Sequence, residues 1–217
     1  RVTINLNCPL IRAGGKNIII DTGLGTKHPP KTQNLYGVQS GHLLQDLSNH
    51  GLEPGDIDFV VFSHLHWDHA GGATYYSATE QLKMTFPNAQ YLAQKADWEE
   101  AIHPNERNRA GYYEEDLEPI RQHNQLELIT GDTQIAPGVW CKLTGGHTAG
   151  HQVAVLDVGG RKACFFGDLI PTAGHLPLPW SQGYDLYPID LLNSKRALLE
   201  QAETEQWLVI FDHEMVT

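Results

Sequence analysis

Residues 64–69 read HLHWDH, three imidazoles and a carboxylate in one short run. Such a run constrains the fold strongly, because several lone-pair-bearing side chains must be held against one another. The stretch before it sets the geometry. DFVVFS, residues 58–63, is apolar and rich in β-branched and aromatic residues, so it reads as a buried strand. A chain leaving that strand extended turns alternate residues to one side, so His64 and His66 face together. After a turn, Asp68 and His69 face a second position nearby. Imidazole and carboxylate are ligands of zinc and related divalent ions, and this spacing suits two adjacent ions better than one.

Two ions need more ligands than this run holds. Three further candidates each follow an apolar strand: His147 in GGHTAGH, Asp168 in FFGD and His213 in FDHE. Polar groups at the ends of several strands converge on one sheet edge, with rigid structure behind them.

The rest of the pattern is mixed. VTINLNCPLIRA and NIIIDTG read as strands, followed by a Gly/Pro/Lys loop, GLGTKHPPKTQN. SGHLLQDLSNHG reads as a helix with Leu43, Leu44 and Leu47 on one face and Gly51 as its stop. Residues 71–86 read as loop with a short helix, AQYLAQ as a strand and KADWEEAI as a helix. Residues 103–124 read as a helical excursion that covers the site. LELIT, VWCKLTG, HQVAVLDVG and KACFFGD are expected strands, and after a loop over 171–188 come the helix IDLLNSKRALLEQAE and the strand QWLVIF. No Gly-x-Gly-x-x-Gly fingerprint and no repeat interrupts this. Two mixed sheets with helices outside are the expected architecture.

Composition narrows the function. The 217 residues carry 15 Lys and Arg against 26 Asp and Glu, a formal charge of -11. A nucleic-acid partner is disfavoured, because phosphate backbones need a basic surface. No apolar run is long enough to span a bilayer. The three cysteines, Cys8, Cys141 and Cys164, are expected to be buried free thiols, which fits a reducing, cytoplasmic setting. The first residue is not Met, and both ends read as cut from a longer chain, so an upstream secretion signal stays compatible. The expectation is one domain over residues 1–217.

Taken together, HLHWDH, the DTG of Asp21 to Gly23, GHTAGH and the GD at Asp168 resemble the metallo-β-lactamase superfamily of hydrolases, in the same order across nearly the whole chain. The resemblance implies an α/β (α+β) fold, the four-layer αββα sandwich, with the site at one edge. It implies a first ion on His64, His66 and His147, and a second on Asp68, His69 and His213, with Asp168 bridging. Zn is the expected metal; Mn, Fe or Co are alternatives. Asp21 orients a ligating imidazole or simply forms the turn before Gly23, and His151 stands behind the ligands rather than among them. The stretches GDLIPTAGHLPLPWSQGYDLYP and FPNAQYLAQKADWEEAIHPNER resemble the quorum-quenching lactonases, in a branch that also holds methyl parathion hydrolase-like enzymes.

That branch implies a dinuclear hydrolase whose nucleophile is a metal-bridging hydroxide, with Asp68 as a proton shuttle. The expected substrate is a small molecule, an N-acyl homoserine lactone or related lactone or ester. An organophosphate or aryl ester hydrolase and a glyoxalase II-like thioesterase are the alternatives. A phosphodiesterase or β-lactamase shares the same scaffold. A diiron redox protein is disfavoured, because such proteins carry Glu where His66 stands here. Leu169, Ile170, His175, Leu178, Trp180 and Tyr184 are candidate pocket residues, with Tyr187 beside them. Equally, they could pack that loop against the sandwich, and His175 leans toward a plain loop histidine. One departure stands out: acyl-homoserine lactonases place a Tyr three residues after the bridging Asp, and here that position is Pro171. Trp67 is expected at the fold or the pocket rim, and Glu114–Asp116 on a solvated face. A homodimer is compatible with all of this.

Overall fold

The alternation of Ile18, Ile19 and Ile20 decides the layering, because successive strand residues point to opposite faces. Ile18 and Ile20 pack with Val139, Cys141 and Phe165, while Ile19 packs with Leu47, Leu117 and Ile120. A strand buried on both faces needs a sheet on one side and helices on the other. The computed structural model, which describes residues 3–39 and 41–215, has that arrangement.

The first sheet has the order β1 (Leu10–Ala13), β2 (Lys16–Ile20), β3 (Phe59–Val61), β6 (Gln90–Gln94) and β7 (Leu126–Ile129). Its β1 and β2 form an antiparallel hairpin; the remaining neighbours are parallel. The second sheet has the order β12 (Leu208–Ile210), β11 (Arg161–Phe165), β10 (Gln152–Val158), β9 (Val139–Leu143) and β8 (Thr133–Ala136). Only β11 and β12 are parallel there. A small antiparallel pair, β4 (Thr74–Tyr76) and β5 (Leu82–Met84), stands apart.

Three apolar clusters hold the layers. The central one joins the sheets through Ile11, Ile18, Val61, Val139, Ala154 and Phe165. Outside the first sheet, helices α2 (His42–Asn49), α4 (Lys95–Ile102) and α5 (Glu114–Gln122) contribute Leu47, Trp98 and Leu117. Outside the second, the long helix α6 (Pro188–Thr204) lays Leu191, Leu198 and Ala202 on Val153, Val155 and Cys164. Each large aliphatic side chain so buried contributes about 1.5–3 kcal/mol. The result is the expected αββα sandwich.

Several local expectations fail. The strand expected over VTINLNCPLIRA begins only at Leu10, and Val2 lies outside the described residues. Residues before it run beside the end of the chain instead: Asn7 N donates to Asp212 O (2.9 Å), and Asn7 Nδ2 to Phe211 O (3.0 Å). The loop expected over 23–34 contains α1 (Pro30–Tyr36), because Pro30 at the first turn starts a helix as readily as it breaks one. Residues 71–86, expected as loop with a short helix, hold a 3-10 turn at Gly71–Ala73 and also the β4–β5 pair, and β8 was not expected at all. In α2, Leu47 is buried but Leu44 is exposed. Asp116 is not on a solvated face: it is buried against Lys27 Nζ at 2.9 Å. No helix among the described residues is long and apolar enough to cross a membrane. Cys8, Cys141 and Cys164 are free thiols, the last two buried.

Candidate metal centre

Strands β3, β9 and β12 end at one edge of the sandwich, and the chain leaving each of them carries a proposed ligand. Beyond β3, Phe62 N pairs with Leu92 O, so the chain stays extended to His64 before α3 (Trp67–Ala70) begins. His66 caps that short helix, and the turn carries Asp68 and His69 to the far side.

Three imidazoles meet in the first cluster. His66 Nδ1 lies 3.0 Å from His64 Nε2 and 3.0 Å from His147 Nε2. A second cluster holds His69, Asp168, Asp212 and His213, whose facing atoms lie within 4.8 Å of one another. Asp168 joins the two: Oδ2 is 3.1 Å from His147 Nε2, and Oδ1 is 3.0 Å from His213 Nε2. Asp168 sits in a short 3-10 turn after β11, entered through Gly167 at a φ of 49°. A Cβ on Gly167 would meet His151 Nε2 at 3.0 Å, so the glycine lets this turn lie close on that ring.

The rings of His69, His147 and His213 are each aimed by a partner behind them. His69 Nδ1 donates to Asp21 Oδ2 (2.9 Å), and Asp21 also accepts from Ser63 N (2.7 Å) and Ser63 Oγ (2.6 Å). Of the two readings of Asp21, orientation of an imidazole is the one its contacts match. His147 Nδ1 donates to Asp185 Oδ1 (2.8 Å), and His213 Nδ1 to Asn5 O (3.0 Å). Each such bond turns Nε2 toward the centre. Over His66 lies the roof formed by residues 109–122: the Tyr112 ring is 5.0 Å from the His66 ring, and a Cβ on Gly111 would meet His66 Cδ2 at 2.6 Å. The segment between β6 and β7 therefore does cover the site.

Burial and neighbouring charge set the protonation states. Burial, then the surrounding imidazoles, hold His64 well below the ordinary imidazole range, and burial with His147 does the same for His66. For His69, burial works against the proton, but Asp212, Asp68 and Asp21 outweigh it and raise the ring well above that range. His213 is pushed up to about 10 in the same way: burial opposes the proton, and Asp168 and Asp212 win. Burial alone would raise the Asp168 carboxyl; His147 and His213 instead hold it well below the carboxylate range.

The donor set fits divalent ions. His69 Nε2, Asp168 Oδ1 and Asp212 Oδ2 are buried and make no hydrogen bond, which is costly unless a cation meets them. Neutral imidazoles and carboxylates at strand ends are the ligands zinc-type ions take.

All seven residues read as ligands from the sequence lie at this centre, with Asp68 at its margin, 3.8 Å from His69 Nε2. His151 belongs to neither cluster; its Nδ1 lies 2.7 Å from Thr144 Oγ1, and burial pushes its pKa down to about 3. Of the six candidate pocket residues, only Tyr184 lines the cleft of about 2240 Å³ beside the centre. Leu169 and Ile170 are buried with Leu191 under α6. His175 pairs with Thr172 Oγ1 (2.8 Å), and Leu178 and Trp180 lie off the cleft. That loop is held down by the fully buried Lys195, whose Nζ donates to Pro177 O and Trp180 O (both 2.8 Å). Tyr184 sets its ring 6.0 Å from the His147 ring, and Trp67 stands at the rim with His28 and Tyr36. Sequence reasoning missed Asp212 and Asp185. The signal for Asp212 was its place beside His213 at the end of an apolar run; Asp185 carried none.

The fold and this centre define a metal-dependent hydrolase. The family model described as "Metallo-beta-lactamase superfamily" matches residues 4–83 and 88–213, and the chain belongs to that superfamily. It is 26% identical over 234 residues to an N-acyl homoserine lactonase of Bacillus thuringiensis, covering 96% of this chain and 80% of the relative. Its fold matches a probable metal-dependent hydrolase from Staphylococcus aureus with a TM-score of 0.90 and 31% identity, over 97% of this chain and 74% of the other. A quorum-quenching N-acyl homoserine lactone lactonase matches with a TM-score of 0.75 and 26% identity, over 98% and 80%.

Proposed function

We propose that this chain is a two-metal lactonase that opens an N-acyl homoserine lactone or a related lactone or ester. One observation carries the reading: Asp168 presents one oxygen to each of two ligand clusters at the mouth of an aromatic-rimmed cleft. Its similarity to N-acyl homoserine lactonases over 96% of its length supports the substrate class.

His64, His66 and His147 would hold one ion, and His69, His213 and a carboxylate the other, with Asp168 between them. When bound, two divalent ions supply an ionised water near neutral pH and an electrophile for the substrate's carbonyl oxygen. The protein's part is positioning. Asp21 and Asp185 fix the rings of His69 and His147, and the Tyr112 ring packs on His66. Asp68, its side chain 26% exposed, faces both the centre and the cleft, where it can carry a proton to the departing alkoxide. In a lactone that alkoxide stays tethered to the product. Trp67, Tyr36 and Tyr184 line the cleft and offer an apolar bed for an acyl chain.

Pro171 favours a second reading. Without a tyrosine at that position, an aryl ester or phosphotriester is the next substrate class to test. The experiment is a panel of lactones, aryl esters, phosphotriesters and thioesters on metal-loaded protein, with His64→Ala as control. Lactone turnover that His64→Ala abolishes supports the reading. Turnover of phosphotriesters or thioesters without lactones overturns it.

A further inference from the structure

The three imidazoles of the first cluster reach it on two loops far apart in the chain. His64 and His66 follow β3, and His147 lies between β9 and β10. Their rings meet only if those two loops keep a fixed spacing. Asp97, in the first turn of α4, is bonded to both loops. It is buried, and each of its oxygens accepts a hydrogen bond: Oδ2 from Leu65 N at 2.7 Å, and Oδ1 from Thr148 Oγ1. Leu65 sits between His64 and His66, and Thr148 follows His147, so one carboxylate is bonded beside every imidazole of that cluster. The second loop lies flat on the start of the helix: a Cβ on Gly150 would meet Asp97 N at 2.2 Å. Glu100, one turn on, extends the hold. Its Oε2 accepts from Ala149 N (2.8 Å), and its Oε1 from Asn108 Nδ2 (3.0 Å), just before the roof. Gln152 also joins the two segments, with N donating to Ser63 O (2.8 Å) and Nε2 to Phe62 O (2.7 Å), but one step back, at the strand ends.

A buried carboxylate costs free energy unless donors meet its oxygens. Both donors here come from the ligand loops rather than from the helix that carries the aspartate. We propose that Asp97 is the positioning residue of the first ion, setting the spacing between the His64–His66 loop and the His147 loop through Leu65 N and Thr148 Oγ1. It is not itself a ligand and does not meet the substrate. Without it the three imidazoles remain, but their spacing loosens. An ion held tetrahedrally by bonds of about 2.0–2.1 Å tolerates little of that. Among the described residues, no hydrogen bond of Asp97 reaches His69, Asp168 or His213, so the second ion does not depend on it.

This inference rests on the two-ion reading, and zinc titration against a coloured chelator separates the two. The unchanged chain is expected to take two Zn2+; fewer than two overturns the two-ion reading, whatever Asp97 does. His213→Ala leaves the first ion to be measured alone, and His147→Ala leaves the second. Added to His213→Ala, Asp97→Ala is expected to weaken the remaining Zn2+ by roughly 10–100-fold, the usual effect of removing a group behind a ligand. Added to His147→Ala, it should change the constant by less than about threefold. Asp97→Asn keeps an acceptor for Leu65 N and a polar partner for Thr148, so it should restore most of the lost affinity. An equal loss in both backgrounds would make Asp97 a general support of the fold and overturn the proposal. Asp97→Asn as weak as Asp97→Ala would overturn it too, by making charge rather than spacing the cause. If Asp97→Ala does not fold, Thr148→Val cuts one of the two bonds at similar volume, and Thr148→Ser keeps it. Thr148→Val should then weaken the first ion and spare the second, with Thr148→Ser sparing both. First-ion affinity unchanged by Thr148→Val overturns the assignment.

Discussion

In one half of the centre, three imidazoles face one another and one Asp168 oxygen; in the other, two imidazoles stand among Asp168, Asp212 and Asp68. Both halves are largely buried, yet their rings differ in protonation. Where imidazoles face imidazoles, desolvation and mutual repulsion act together, and His64 and His66 stay neutral. Where carboxylates crowd the rings, their charge overcomes desolvation, and His69 and His213 hold protons. The first half is ready for a cation as it stands. The second must give up protons to take one.

The largest break comes from removing a ligand of the first half. His64→Ala or His147→Ala is expected to lose that ion and reduce turnover by more than about 100-fold, which exceeds the usual cost of losing a supporting group. Metal content by mass spectrometry and initial rates check this together. Next come the partners behind the rings. Asp185→Asn should weaken the first ion and Asp21→Asn the second, each by roughly 10–100-fold. Competition with a coloured chelator distinguishes them; if both variants weaken the same ion, the two halves are not separately supported.

Acidity sharpens the contrast further. Protons compete with the ion for His213, which is pushed up to about 10, so second-ion affinity should rise with pH between 6 and 8. Each displaced proton adds a slope of about tenfold per pH unit, so displacement from both His69 and His213 gives up to about 100-fold. His64 and His66 should add no pH dependence to first-ion affinity over the same window, because both are held well below the ordinary imidazole range. Titrations at several pH values, in buffers of different ionisation enthalpy, count the protons. The smallest expected effect is at the roof. Gly111→Ala pushes a methyl toward His66, so it should cost about 1–3 kcal/mol of stability and weaken the first ion without changing the second. Urea unfolding and the same chelator assay measure both.

The ligand set was legible because its members sit where apolar strand runs stop, a break in pattern that a single sequence displays well. His147, Asp168 and His213 all announce themselves that way. Asp212 did not, since an acidic residue next to a ligand looks like ordinary loop chemistry until three dimensions show where it points. Asp185 was hidden inside an aromatic loop and acts only across 38 positions of chain. Leu169 and Ile170 show a different limit. Apolar residues that follow a ligand can turn inward or toward a cleft with identical composition, and here α6 claimed them. The β4–β5 pair and α1 were missed because each is short and marked by polar or proline residues that also mark loops. The Lys27–Asp116 pair is tertiary and leaves no local signature at all.

The connection from β11 to β12 has a consequence for timing. Those strands pair in parallel only after the 17 residues of α6 have crossed between them, and His213 follows β12. Parallel, non-local pairing is among the slower steps a chain takes. In a polypeptide emerging from synthesis, His64, His66 and His147 are all made before His213. Cargo captured early would rest in a half-built cradle, and the second berth would open only when that final strand docks.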